Sequence, residues 1–305
     1  MRPAVKSIIA IIVAATLLAS CRTIPAEETV DYRVEPMTVT PTPTSTPTPT
    51  PVPVFPDLEY EISEPVIGEL EEEGSRTRYV TFYRDGNPID GKITVPEGEG
   101  PFKTIIISSG MYARLGRYSA KAKRYSDNGY AVIEFFFQNG TAPPDYADPE
   151  YIGDFIYEQI LDLYAVIDAT EYIPEIDQDN IYLYGHSMGG LVSSYVGTMR
   201  QTEIKGLILV DPSFYAADLM NFENEKKITT DIYSIISRCY IPVVIITGTE
   251  GSFGEDPHFF DDAREAFTDC EYVVIDGADH HMDGDAGDKV VDRSVEVMKA
   301  WDERE

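Results

Sequence analysis

Basic residues are scarce in this chain. Its 305 residues include 24 Lys and Arg against 53 Asp and Glu, a formal net charge of −29. A surface of that sign repels nucleic acid, anionic headgroups and polyanionic substrates, so no nucleic-acid partner is expected. Histidine is scarcer still: a reaction that needs an imidazole base must draw on His186, His258, His280 or His281. Of three cysteines, Cys239 and Cys270 lie in the body of the chain, each just before an apolar strand-like run. Export would permit a disulfide between them, and two buried thiols are the alternative. Neither a cluster with metal-ligand spacing nor a glycine-rich phosphate loop occurs, so no metal or cofactor is expected. There is no internal repeat. The apolar run Ser7–Leu18 is too short to span a bilayer comfortably.

That run follows Arg2 and Lys6 and reads as a signal peptide over residues 1–20. It ends Leu18-Ala19-Ser20-Cys21, which resembles a bacterial lipobox. The resemblance implies cleavage before Cys21 and lipidation of its sulfur. The product would be an exported lipoprotein at the cell membrane, facing outward or into a periplasm. Cleavage removes Arg2 and Lys6 and no acidic residue, leaving 22 basic against 53 acidic groups, a net of −31. Thr38–Pro53 is almost pure Thr and Pro. Such a stretch cannot bury a core and is extended, polyproline-like and semi-rigid. Residues 21–56 therefore read as a lipid-anchored stalk, and 57–305 as one large α/β domain.

Within that domain, 79–83 and 89–95 flank Arg84-Asp85-Gly86-Asn87-Pro88, whose turn chemistry predicts a hairpin. Buried strands are expected at 104–108, 130–137, 181–184, 205–210, 241–247 and 272–275. Helices are expected at 119–128, 154–172 and 290–301, with Gly129 stopping the first. Strands alternating with helices predict a mostly parallel sheet with right-handed crossovers, the hairpin supplying an antiparallel edge.

Four strand-favouring residues, Ile181-Tyr182-Leu183-Tyr184, run into Gly185-His186-Ser187-Met188-Gly189-Gly190, and a helix-like segment follows. Strand, G-x-S-x-G and helix together predict a sharp turn that projects the Ser187 hydroxyl. The flanking glycines are needed where strand and helix backbones approach too closely for a Cβ. Gly-His-Ser-Met-Gly-Gly resembles the nucleophile elbow of the α/β-hydrolases, in particular bacterial esterases and serine peptidases of that fold. The resemblance runs from about Arg78 to the C-terminus. It implies the α/β-hydrolase fold: a mostly parallel central sheet with helices on both faces, and a lid between the strands at 205–210 and 241–247. Here that segment is short, with one helical candidate at 228–237, so a small lid or none is expected.

The resemblance also implies a Ser-His-acid triad. Strand 272–275 followed by Gly277-Ala278-Asp279-His280 resembles the family's histidine loop and puts the base on His280, with His281 and His258 as alternatives. His186 adjoins the nucleophile but points elsewhere from such an elbow. The family's acid follows the strand at 241–247, usually as Gly-x-x-Asp. This chain has Gly248-Thr249-Glu250-Gly251, so Glu250 is the expected acid, one residue early, with Asp256 and Asp211 as alternatives. The acid's task is to hold the imidazole's tautomer and stabilise the imidazolium. Two backbone N–H groups are expected to form the oxyanion hole, that of Met188 and, from the turn Ser109-Gly110-Met111, that of Met111. The family commonly has His where this chain has Ser109.

Phe135, Phe136, Phe137, Tyr146, Tyr151, Phe155 and Tyr157 fall near the expected cleft and read either as an aromatic acyl or alcohol pocket or as core. The expected function is a surface-anchored serine carboxylesterase acting on a small-molecule, carbohydrate or lipid ester through an acyl-enzyme. A serine peptidase of the same fold and a non-catalytic binding lipoprotein are the competing expectations.

Overall fold

The structure, a computed structural model, describes residues 58–142, 149–214 and 232–304. The signal peptide, Cys21 and the Thr/Pro stalk lie outside the described residues, as do Tyr146, the side chain of Tyr151 and most of the lid segment.

Among the described residues, nine strands form one sheet: β1 Val66–Leu70, β2 Thr77–Arg84, β3 Asn87–Thr94, β4 Phe102–Ser108, β5 Ala131–Phe135, β6 Ile176–His186, β7 Ile204–Val210, β8 Val243–Gly248 and β9 Cys270–Ile275. Their order across the sheet is β1-β2-β3-β5-β4-β6-β7-β8-β9. The first three strands and β3 against β5 are antiparallel; from β5 to β9 every pair is parallel. The β2–β3 hairpin turns through Asp85 and Gly86 at φ 52° and 73°. Two successive positive φ values match the twist of the flanking strands and suit the Asp-Gly pair.

Helices α1 Ser119–Asp127, α2 Pro149–Ala169, α3 Met188–Met199, α4 Ile232–Ile236, α5 Asp261–Ala266 and α6 Gly284–Asp302 cover both faces. The alternation along β6 shows why both faces must be covered. Ile181 and Leu183 enter the core under α2 and α3, while Tyr182 and Tyr184 enter the opposite core with residues of α1 and α6. A strand apolar on both faces is stable only between two helical layers. Phe135, Phe137 and Phe155 are all buried, at most 3% exposed, and belong to the core.

Cys239 and Cys270 sit on and beside neighbouring strands as free thiols. Burial pushes both thiols up, Cys270 to about 12, so neither is a ready nucleophile.

Candidate active site

The sheet delivers the site residues at the C-terminal ends of adjacent parallel strands. β6 ends at His186, α3 begins at Met188, and Ser187 between them has φ 55° and ψ −122°. That backbone region is sparsely populated for a residue with a Cβ. It is held by close packing: a Cβ on Gly185 would come within 2.4 Å of the Gly189 carbonyl oxygen. One on Gly189 would come within 2.1 Å of the Ser108 carbonyl oxygen at the end of β4. The glycine spacing of the elbow is thus a steric requirement.

His280 reaches Ser187 from the loop after β9. Its Nε2 lies 3.1 Å from Ser187 Oγ, and its Nδ1 donates to Asp211 Oδ2. The ring is about a quarter exposed, whereas Asp211 is fully buried and Ser187 nearly so. His281 and His258 are exposed, and His258 Nδ1 engages Asp261 at 2.7 Å.

The expected partnership of Glu250 with His280 is corrected: Asp211 occupies that place. Asp211 follows β7 directly, in a positive-φ conformation (44°), and β7 lies beside β6 with Val210 paired to His186. This carboxylate thus arrives one strand nearer Ser187 than expected. The loop after β8 contributes donors instead of a carboxylate. Thr247 Oγ1 and Ser252 Oγ donate to Asp211 Oδ1 at 2.6 and 2.8 Å, and the Phe253 N–H donates to Oδ2 at 3.2 Å. Burial alone would push the Asp211 carboxyl up. Hydrogen bonds from His280, Thr247 and Ser252 outweigh it and hold the carboxyl below the usual range. Glu250 and Asp256 are exposed; the Glu250 N–H donates to the Ala278 carbonyl, and Asp256 accepts from the His258 N–H.

A second hydroxyl touches Ser187 Oγ. Ser213 Oγ is 3.1 Å from Ser187 Oγ, and the Ser213 N–H donates to the Ser187 carbonyl at 2.9 Å. Sequence reasoning passed over Ser213, Thr247 and Ser252. The available signal was Asp211-Pro212-Ser213, a carboxylate and a hydroxyl ending an apolar strand, with proline forbidding its continuation.

The turn after β4 lies over the elbow: a Cβ on Gly110 would sit 2.9 Å from Ser187 Cβ. The Gly110 N–H is committed to Tyr118 Oη at 3.2 Å. The next N–H in that turn is Met111's. Met188 opens α3, so its N–H is one of the four that a helix start leaves without an intrahelical acceptor. A wide concavity of about 1050 Å³ elsewhere, lined by Asp168, Arg200 and Tyr240 among others, includes none of these site residues.

The sequence family described as serine aminopeptidase, S33, matches residues 99–239, a little under half the chain. Among solved structures, Est1E from Butyrivibrio proteoclasticus aligns with TM-score 0.58 at 16% identity, covering 73% of this chain and 98% of its own. The chain has the α/β-hydrolase fold. An acetyl xylan esterase from Paenibacillus sp. R4 aligns with this hydrolase fold at TM-score 0.55 and 17% identity, over 79% of this chain and 89% of its own. A proline iminopeptidase from Mycobacterium smegmatis aligns at TM-score 0.56 and 13% identity, over 73% and 98%. No curated protein sequence matches. Esterases and a peptidase thus share the fold with this chain, and at these identities the likeness extends to the fold alone.

Proposed function

We propose that the protein is a serine hydrolase, specifically a carboxylesterase, with Ser187 as nucleophile, His280 as general base and acid, and Asp211 as the orienting carboxylate. The observation that carries this reading is the unbroken hydrogen-bond line from Asp211 through His280 to Ser187. Asp211 accepts from Nδ1, which leaves Nε2 as the acceptor for the Ser187 proton. Ser187 Oγ attacks the ester carbonyl as His280 takes its proton. The N–H groups of Met188 and Met111 receive the developing oxyanion. His280 returns the proton to the leaving alcohol, and an acyl-enzyme remains. Water then attacks the acyl carbon with His280 again as base, and Ser187 leaves with the proton. Chain residues supply every proton transfer in this sequence.

Esterases and a peptidase both stand among the structural neighbours, so the fold accommodates either reading. The peptidase reading is favoured by the description of the matching sequence family. Turnover of a short-chain p-nitrophenyl ester beside an aminoacyl-arylamide separates them. Hydrolysis of the ester that vanishes in Ser187→Ala is expected, with little action on the arylamide. The reverse preference makes the protein a peptidase, and no turnover of either leaves a binding protein.

The lipobox-like Leu18-Ala19-Ser20-Cys21 and the Thr/Pro stretch support an enzyme exported to the cell surface and held there by lipid on Cys21.

A further inference from the structure

Beneath the nucleophile a second line of buried polar groups joins two loops that the reaction needs. The Gly110 N–H donates to Tyr118 Oη at 3.2 Å, Tyr118 Oη meets His186 Nδ1 at 2.9 Å, and His186 Nε2 meets the His280 carbonyl at 2.7 Å. Tyr118 is 3% exposed and His186 6%.

Every proton in this line is assignable. A carbonyl only accepts, so Nε2 of His186 carries a hydrogen. A neutral ring then presents Nδ1 as an acceptor, and Tyr118 O–H donates to it. Tyr118 Oη keeps a lone pair for the Gly110 N–H. A second proton on His186 would turn Nδ1 into a donor and displace the Tyr118 hydrogen. Burial, the largest influence, holds the ring neutral by lowering its pKa to about 3.

Both ends of the line reach the reacting centre. Gly110 lies against Ser187 Cβ in the turn that presents Met111. His280 holds Ser187 Oγ. Tyr118 itself is fixed from behind: Glu134 Oε1 accepts from the Gly116 and Tyr118 N–H groups at 2.8 and 3.0 Å. Its ring stands edge-on to His186, with centroids 5.9 Å apart.

We propose that Tyr118 and His186 are positioning residues: they lock the oxyanion turn and the main chain of His280 into one frame through the line Gly110 N–H, Tyr118 O–H, His186 Nε2–H and the His280 carbonyl. The proposal rests on the serine-hydrolase reading above. Neither side chain exchanges a proton with substrate. Each sets the distance between the group that receives the oxyanion and the group that moves the proton. A loss of that register affects the transition state more than the bound substrate, because the oxyanion exists only after attack.

The test is kcat and KM of the full chain on one p-nitrophenyl ester for Tyr118→Phe, His186→Gln and His186→Leu, with thermal melts. Long-range proton–nitrogen NMR of the imidazoles of the unmutated protein accompanies it. Tyr118→Phe, which keeps the ring and deletes the hydroxyl, is expected to lower kcat about 10- to 100-fold with KM changed less than about threefold. His186→Gln retains an N–H for the His280 carbonyl and is expected to keep more activity than His186→Leu. The NMR spectrum is expected to show His186 neutral with hydrogen on Nε2 at pH 7. Unchanged kcat in Tyr118→Phe overturns the proposal, as does a loss carried wholly by KM. Hydrogen on Nδ1 or an imidazolium at His186 overturns it even where a variant fails to fold. If the unmutated protein hydrolyses neither the ester nor the aminoacyl-arylamide, the serine-hydrolase reading fails, and the NMR result still decides whether the line exists.

Discussion

At the scale of single residues, the site is set by which atoms have somewhere to put their protons. Ser213 has its hydroxyl against Ser187 Oγ, and with the Ser187 proton directed to His280 the Ser213 hydrogen points at the nucleophilic oxygen. On the proposed mechanism that contact would stabilise negative charge on Oγ as its proton leaves. Ser213→Ala is expected to slow turnover roughly tenfold with folding intact. Measured kcat at or above the parent's would show that the contact competes with His280 for the Ser187 proton. His186 gives a pH signature. Its folded pKa of about 3 lies below the ordinary 6.5, mainly through burial and partly through the charges of His280 and Lys121, against which Asp211 and the His280 carbonyl push upward. Between those values the unfolded chain binds the proton and the folded chain does not, so His186 withdraws stability as pH falls from about 6.5 toward 3. The fall in Tm between pH 7 and pH 4 is therefore expected to be smaller in His186→Gln than in the parent, and parallel curves would show that the ring is not held neutral. The turn at Ser187 was legible in the sequence because sterics dictate its glycine spacing, and the place of His280 beside it because that residue follows a strand. The carboxylate that meets the imidazole was not. Asp211 and Glu250 both follow apolar strands, and nothing local says which reaches the imidazole. That choice depends on β7 lying beside β6 and on hydroxyls of Thr247 and Ser252 arriving as donors rather than competitors.

At the scale of elements, α1 and the turn that leads into it brace the histidine loop. Arg117 makes a two-pronged pair with Asp283 at 2.7 Å for each contact, and buried Lys121 Nζ donates to the Met282 carbonyl at 2.7 Å. Burial lowers the Lys121 pKa. Lys121→Met keeps the stem but leaves a buried carbonyl without that donor, at a cost of about 1–3 kcal/mol. A Tm lower by roughly 2–10 °C is expected, and a Tm equal to or above the parent's would mean that the desolvation of the ammonium outweighs its hydrogen bond. Strand and helix positions were largely legible because buried parallel strands are continuous apolar runs. Strand β1 was not, because all five of its residues are exposed and it carries no alternation. The short helix α5 was missed too: it is six residues long with one buried side chain, Ala263, too brief for a helical period to register.

At the scale of the whole molecule, we propose that the excess of 53 acidic over 24 basic residues disfavours polyanionic substrates. If export and anchoring follow from Cys21, Cys21→Ala is expected to move the protein from the membrane fraction to the soluble one; a variant that stays membrane-bound like the parent removes the lipid anchor from the account. The central claim is the composition of the catalytic line, and turnover of one p-nitrophenyl ester by Ser187→Ala, Asp211→Asn and Glu250→Gln, each checked for folding, tests it most directly. Ser187→Ala is expected to lose on the order of 10³-fold or more, and Asp211→Asn at least about 100-fold, because an amide is unable to stabilise the imidazolium. Glu250→Gln is expected to stay within about threefold of the parent, since an exposed side chain away from the imidazole has nothing to orient. Collapse in Glu250→Gln with near-normal turnover in Asp211→Asn would contradict the account.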